Sequence, residues 1–254
     1  MKFRFVEDLK RSLVGRLLIR NCVSKVLRIP CNEIHLERTD KGKPILCNKL
    51  SAEEQLYFNV SHAGDFVVLV ASTTRNIGVD VMEFFAPNNK SIPKFLDLMK
   101  NIFTASELVH IHSFEAEWSQ LRAFYRLWTL KESWVKATGV GIGKDIAGQL
   151  DFRLKTKELS IGEHCCDSVL WMDNREVPWC FDECLLDENH VVAVAYESGN
   201  VGKGASGNVT LPPHTAFSFV TFDEITEGVE VVVEPCDEWW DDFTNKDSKD
   251  KLRR

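Results

Sequence analysis

The twenty residues 124–143, FYRLWTLKESWVKATGVGIG, constrain the fold more than any other stretch. Together with the turn before them they read as a long helix over about 117–138. Leu121, Tyr125, Trp128, Glu132 and Val135 then share one stripe, at steps of four, three, four and three. Four of the five are apolar or aromatic and are expected to face a core. The fifth is a carboxylate, and a carboxylate on such a face needs a cation, a hydrogen-bond donor or a metal. Lys136 follows Glu132 by four residues and can lie beside it along the helix. Lys131 stands about a third of a turn away. Gly139 ends the helix, and Gly141 and Gly143 let the chain turn sharply after it. An ordinary Glu132–Lys136 ion pair on a half-exposed face satisfies the spacing as well as a working site does.

Upstream, residues 7–29 read as an amphipathic helix with interspersed arginines, stopped by Pro30. Residues 34–38 alternate like a short strand. A basic turn follows at Arg38, Thr39, Asp40, Lys41, Gly42, Lys43 and Pro44, where a glycine among cations lets a phosphate approach the backbone. In 58–62, Phe58, Val60 and His62 share one strand face and Asn59 and Ser61 the other. Adjacent strand residues point apart, so Ser61 and His62 do not form a catalytic dyad. Residues 66–71 read as a buried strand and 77–83 as another. The latter carries Asp80 in its middle, where aspartate is disfavoured unless it has a task or a structural hydrogen bond.

Pro87 to Pro93 reads as a loop. Two short helices are expected at 94–103 and 104–112, the second opened by a Thr104–Glu107 capping box. Past the glycines, strands are expected near 148–154, 168–172, 178–185 and 190–197. Residues 198–210 read as a linker, 217–222 as one added strand, and the end from Cys236 as frayed. Helix followed by strands occurs twice, which predicts an α+β fold of two similar halves. The expected divisions are 1–86, 87–198 and a 199–254 tail.

Charge narrows the function. Residues 1–49 carry 12 Lys and Arg against 5 Asp and Glu, whereas 199–254 carry 6 against 11. The net charge of −7 argues against nonspecific nucleic-acid binding, while the basic front end suits a small polyanion or an acidic partner. No run approaches the length of a membrane span, and the charged N-terminus lacks the apolar core of a signal peptide. The eight cysteines form no CxxC pair, so neither zinc site nor disulfide framework is expected; buried free thiols in a cytoplasmic protein are.

Five segments in order then carry a resemblance: GRLLIR at 15–20, RTDKGKP at 38–44, FNVSHAGD at 58–65, IGVDVME at 77–83 and LWTLKESWVKATGVGIG at 127–143. Together they resemble the Sfp-type 4′-phosphopantetheinyl transferases, over residues 1 to about 197. The RTDKGKP and FYRLWTLKES forms are most similar to the animal branch that serves L-aminoadipate-semialdehyde dehydrogenase. The resemblance implies a pseudo-twofold α+β fold with coenzyme A (CoA) and Mg²⁺ between the halves. It implies transfer of phosphopantetheine from CoA to a serine of apo carrier proteins, among them a fatty-acid synthase carrier domain, by a monomer that engages neither nucleic acid nor membrane.

Carried over residue by residue, Asp80 and Glu132 hold Mg²⁺. Arg38, Thr39, Asp40, Lys41, Gly42 and Lys43 hold the 3′-phosphate and adenine end. Asn59, Val60, Ser61 and His62 line the nucleotide and pyrophosphate, with His62 donating to a phosphate oxygen. Glu132, directly or through a water, takes the proton from the carrier serine, and Lys136 neutralises the pyrophosphate. Many relatives carry an acid where this chain has Met82, so a site with two protein carboxylates and extra waters is expected. Relatives also run ahead of the first helix with a strand and a CoA-contacting arginine, so a chain starting at Met1 is expected to be shortened. A degenerate homologue that binds CoA or carrier without turnover, and a metal-dependent nuclease, are the alternatives.

Overall fold

The structure is a computed structural model that describes residues 3–40, 42–50, 55–74, 76–86, 91–141, 144–198, 217–229, 234 and 236–248. Lys41, Gly143, part of the expected 87–93 loop and nearly all of the expected 198–210 linker lie outside the described residues. The content is α+β, as the pattern predicts. The chain separates into two compact units, Leu36–Phe217 and Met1–His35 with Ser218–Arg254.

In the larger unit, β1 (Leu36–Arg38) and β2 (Pro44–Leu46) flank the basic turn as an antiparallel pair. Next come β3 (Tyr57–Ala63), β4 (Phe66–Ser72) and β5 (Ile77–Glu83), then α2 (Ile92–Met99), α3 (Ala105–His112) and α4 (Glu117–Thr138). After the short α5 (Lys144–Ala147) follow β6 (Asp151–Arg153), β7 (Val169–Met172), β8 (Arg175–Glu176), β9 (Trp179–Leu185) and β10 (His190–Glu197). The pattern did not show β2, α5 or β8. β5, β10 and β9 form an antiparallel sheet in that order, so a strand of the expected first half pairs directly with one of the second.

This sheet has two different faces because side chains alternate along each strand. Val79, Val81, Val192, Val194 and Cys184 form one apolar layer with Val68 of β4. The other face carries Gly78, Asp80 and Met82 of β5 beside Val191, Ala193 and Ala195 of β10, and α4 lies across it. Of the expected stripe, Leu121, Tyr125 and Val135 are buried, whereas Trp128 and Glu132 are only half-buried; Leu127 and Leu130, off the stripe, are completely buried because α4 is covered on more than one side.

Small residues set how close α4 comes. A Cβ on Gly78 would lie 2.2 Å from the Ser133 carbonyl oxygen and 2.3 Å from the Ala137 amide nitrogen. Both are helix backbone atoms that cannot step aside. Gly78→Ala is therefore expected to cost about 1–3 kcal/mol or more in urea denaturation. It should also push the end of α4 away from β5. Unchanged stability would show that this packing tolerates a methyl group.

Two buried ion pairs tie α4 to its neighbours. The Arg126 guanidinium donates to both carboxylate oxygens of Glu183 of β9, at 2.8 and 3.0 Å. It also donates to the Thr156 carbonyl at 2.8 Å, while Ser168 donates to Glu183. Lys131 lies 2.8 Å from Glu107 with both side chains fully buried, and its ammonium also donates to the Ala147 and Leu150 carbonyls. Glu107 completes the expected capping box with Thr104, and its other oxygen accepts the Phe152 amide at 3.0 Å.

The second unit is built on α1 (Val6–Leu27), which ends where Arg28 takes a left-handed conformation two residues before Pro30. Arg20 folds back onto the Cys31 and Ile34 carbonyls. The expected strand at 217–222 is not formed. Phe217–Val220 has no regular structure, and Thr221 caps α6 (Phe222–Thr226) through a capping box with Glu224. A Thr-x-x-Glu spacing satisfies orphan helix amides on the spot, whereas a lone alternating segment gains nothing without a strand to pair with. Nor is the end simply frayed: α7 (Asp237–Thr244) is helical. All eight cysteines are free, but only Cys184 is fully buried, and Cys47 and Cys236 are exposed. No described helix is long and apolar enough to cross a membrane.

Candidate active site

The close approach at Gly78 determines what stands opposite the last turns of α4. Two residues on, Asp80 points from the same face of β5 and is 4 % exposed. Lys136 meets it, with Nζ 2.6 Å from Asp80 Oδ1. Ser61 of β3 donates to the same oxygen at 2.8 Å and accepts from Lys136 at 2.7 Å. These three side chains close a ring. Asp80 Oδ2 is buried with no hydrogen-bond partner.

Glu132 is the fourth member. Burial pushes its pKa up, the Asp80 carboxylate pushes it further, and Lys136 pulls it back. Asp80 is likewise raised by burial, against the pull of Lys136 and Ser61. A carboxylate with a raised pKa is better matched to taking a proton near neutral pH. Lys136 forms its ion pair with Asp80 rather than with the helical neighbour its spacing offered.

Asn59 supports the strand rather than the cluster. Its side-chain oxygen accepts the Val79 amide at 2.9 Å, standing in for a neighbouring strand along β5. Ser61 lies on the same face of β3, whereas Val60 and the exposed His62 lie on the opposite face. The structure thus brings together Ser61, Asp80, Glu132 and Lys136, with Asn59 beside them, and sets His62 apart.

The basic turn is tied to the same place. Thr39 and Lys43 exchange bonds across it, Gly42 donates to the Thr39 carbonyl at 2.7 Å, and Arg38 donates to the Gly42 carbonyl at 2.6 Å. Asp40 is exposed at its tip. Lys43 turns inward, and its Nζ donates to the Lys136 carbonyl at 3.0 Å. Burial lowers the Lys43 pKa. A cation on the last carbonyls of a helix is favoured by the helix dipole. Gly139 closes that end in a left-handed conformation, donating to the Val135 carbonyl at 2.8 Å. No sequence signal marks the Lys43 contact, because nothing local says where a lysine will reach. The approach at Gly78 had one signal, a glycine inside a strand.

A divalent cation fits these residues. Asp80 Oδ2 is a buried oxygen without a hydrogen-bond partner, and the half-buried Glu132 adds a second hard oxygen ligand. Among the described residues no cluster of three His, Cys, Asp or Glu forms a complete cage. Met82 shares the Asp80 face, while the Glu83 carboxyl carbon approaches Gly64 in the β3–β4 turn, 3.1 Å from where a Cβ would stand. The site therefore offers two carboxylates.

Two carboxylates, a lysine and a serine gathered from β3, β5 and α4, with a basic turn tied to the same helix end, are the parts that chemistry on a phosphoryl-linked group requires. Residues 1–74 match the family described as 4′-phosphopantetheinyl transferase, N-terminal, and residues 76–195 match the 4′-phosphopantetheinyl transferase superfamily. The chain belongs to that superfamily and is a transferase. It is 38% identical over 247 residues to the L-aminoadipate-semialdehyde dehydrogenase-phosphopantetheinyl transferase of Homo sapiens, covering 95% of this chain and 80% of the relative. The Xenopus laevis protein of the same name is 36% identical over 245 residues, covering 96% and 81%. The 4′-phosphopantetheinyl transferase psf-1 of Bacillus pumilus is 34% identical over 193 residues, covering 76% and 73%.

Proposed function

We propose that this chain transfers the 4′-phosphopantetheine arm of CoA to a serine hydroxyl of acyl or peptidyl carrier proteins, converting apo to holo carrier with Mg²⁺ and releasing adenosine 3′,5′-bisphosphate. The observation that carries the reading is the buried Asp80 oxygen without a hydrogen-bond partner, on a carboxylate that Lys136 pairs through its other oxygen and that interacts electrostatically with Glu132.

The chemistry asks little covalent help of the protein. Asp80 and Glu132 would hold Mg²⁺, which when bound supplies charge neutralisation on the pyrophosphate oxygens. Glu132, directly or through a water, accepts the proton of the carrier serine as the hydroxyl oxygen attacks the phosphorus that carries pantetheine. The bond from that phosphorus to the bridging oxygen breaks, and the electron pair leaves with the bisphosphate. Lys136 faces the developing charge as a mobile ammonium. Arg38, Thr39, Asp40, Gly42 and Lys43 form the 3′-phosphate and adenine end. Of these, Lys43 acts in part by holding the end of α4. Asn59 and Ser61 keep β3 against Asp80, and Val60 and His62 would meet the nucleotide from the other face of that strand.

The natural partners in this reading are carrier domains such as that of fatty-acid synthase and an aminoadipate-semialdehyde dehydrogenase-like protein. The enzyme works as a cytoplasmic monomer, in keeping with its eight free cysteines. Intact-protein mass spectrometry of an apo acyl carrier protein with this chain, CoA and Mg²⁺ tests the reading. A gain of one phosphopantetheine, lost with EDTA, is expected. Thermal stabilisation by CoA with no carrier modified, across several carriers, would instead mark a binding protein.

A further inference from the structure

Lys136 stands where a cation belongs. Its ammonium, 2.6 Å from Asp80 Oδ1 and 2.7 Å from Ser61 Oγ, neutralises a carboxylate whose side chain is only 5 % exposed. The lysine side chain as a whole is 29 % exposed, so the carboxylate is enclosed while part of the lysine stem reaches solvent. The backbone of Lys136 is fixed too, held through its carbonyl by Lys43 and by the Gly139 cap three residues on. Only the flexible stem is free to move. Ser61 donates to the same Asp80 oxygen, so that oxygen keeps one donor if the ammonium departs.

Charge says when it departs. Two carboxylates and one ammonium leave the cluster with one negative charge in excess. A divalent cation added to it makes the cluster net positive. The ammonium and the cation then repel each other at short range, where such terms are large. The lysine is relieved only by leaving Asp80 or by gaining an anion.

We infer that Lys136 is the resident counter-ion of the empty site, that a divalent cation displaces it from Asp80, and that the released ammonium is what receives the phosphate of the incoming nucleotide. Cation and phosphate then assist each other's binding, because the first creates the positive site that the second neutralises. The last clause rests on the transferase reading; the competition between Lys136 and the cation does not.

The test uses the full chain without CoA or carrier. Mn²⁺ binding is followed by electron paramagnetic resonance. Lys136→Met is expected to bind Mn²⁺ roughly tenfold or more tightly than wild type, because the competing charge is gone. Lys136→Gln serves as the second variant should the first fail to fold. A second measurement needs no variant: acetylation of wild-type Lys136 by acetic anhydride, read by peptide mass spectrometry. Saturating Mn²⁺ should speed it severalfold, while the fully buried Lys131 stays protected. Equal or weaker Mn²⁺ affinity in both variants, no Mn²⁺ binding at all, or Lys136 labelling indifferent to the metal would each overturn the inference. Metal-driven release with unmodified carriers would count against the transferase and leave the exchange standing. Modified carriers with metal-indifferent Lys136 would do the reverse.

Discussion

Glu132→Gln is expected to lower carrier modification by about 10²–10⁴-fold, the range a positioned acid or base contributes, while making the metal-free protein more stable at neutral pH. The two effects have one cause. Burial and Asp80 raise the Glu132 pKa above its ordinary 4.5 in the folded state. The native protein therefore binds this proton more tightly than the unfolded chain, and the stability it contributes is lost as pH rises from about 4.5 through the folded pKa. Glutamine cannot ionise and escapes that loss. In EDTA, the variant should match wild type in Tm near pH 4 and exceed it near pH 7, by an amount that solvent screening of the half-exposed Glu132 keeps small. Adding Mg²⁺ should stabilise wild type more than the variant. Parallel Tm profiles for the two proteins from pH 4 to 7.5 would show that Glu132 is not held in the environment described.

The helix that carries this residue was largely legible. Its extent was given by the periodicity and by Gly139, so the expected 117–138 matches Glu117–Thr138, but the stripe named only part of the buried surface: Phe124, Leu127 and Leu130 lie off it and are buried, and Trp128 on it is only half-buried. β3, β5 and β10 were legible for the same reason, since alternation and a turn residue are local signals. Reading failed where two local signals competed. At 217–222 the alternating Phe and Val argued for a strand, and the Thr221–Glu224 cap won. It also failed where the partner is distant. The four-residue step from Glu132 to Lys136 marks reach along a helix, yet the ammonium crosses to Asp80, 56 positions earlier. Ser61 was expected to line the nucleotide, and nothing in the spacing announced that its hydroxyl also joins Asp80 and Lys136. His62 adjoins Ser61 in sequence and is carried to the other face by the alternation that was already visible. Site residues could thus be nominated from the chain, but which of them touch is decided by the close packing of α4 on β5.

The lysines of α4 should separate by function. Lys131→Met is expected to cost about 3–5 kcal/mol in urea denaturation, because it strands the Glu107 carboxylate in the interior. The wild-type pair is fully buried, and Lys131 also satisfies two carbonyls. Lys136 lies five positions on, but its side chain is 29 % exposed and its partner keeps the Ser61 bond. Lys136→Met also leaves a buried carboxylate, but Lys136 is partly solvated and, among the described residues, satisfies no buried carbonyl, so the change should cost less stability than Lys131→Met while it lowers transfer. Stability and transfer should therefore separate between the two variants: the loss of fold dominates in one and the loss of activity in the other. A double-mutant cycle identifies the cause. Glu107→Leu alone removes half the pair and a capping group. Combined with Lys131→Met, it should cost well under the sum of the single losses, because the second change removes the charge that the first leaves unpaired. Additive losses would mean that the two buried charges do not depend on each other, and α4 would then owe its position to apolar packing alone.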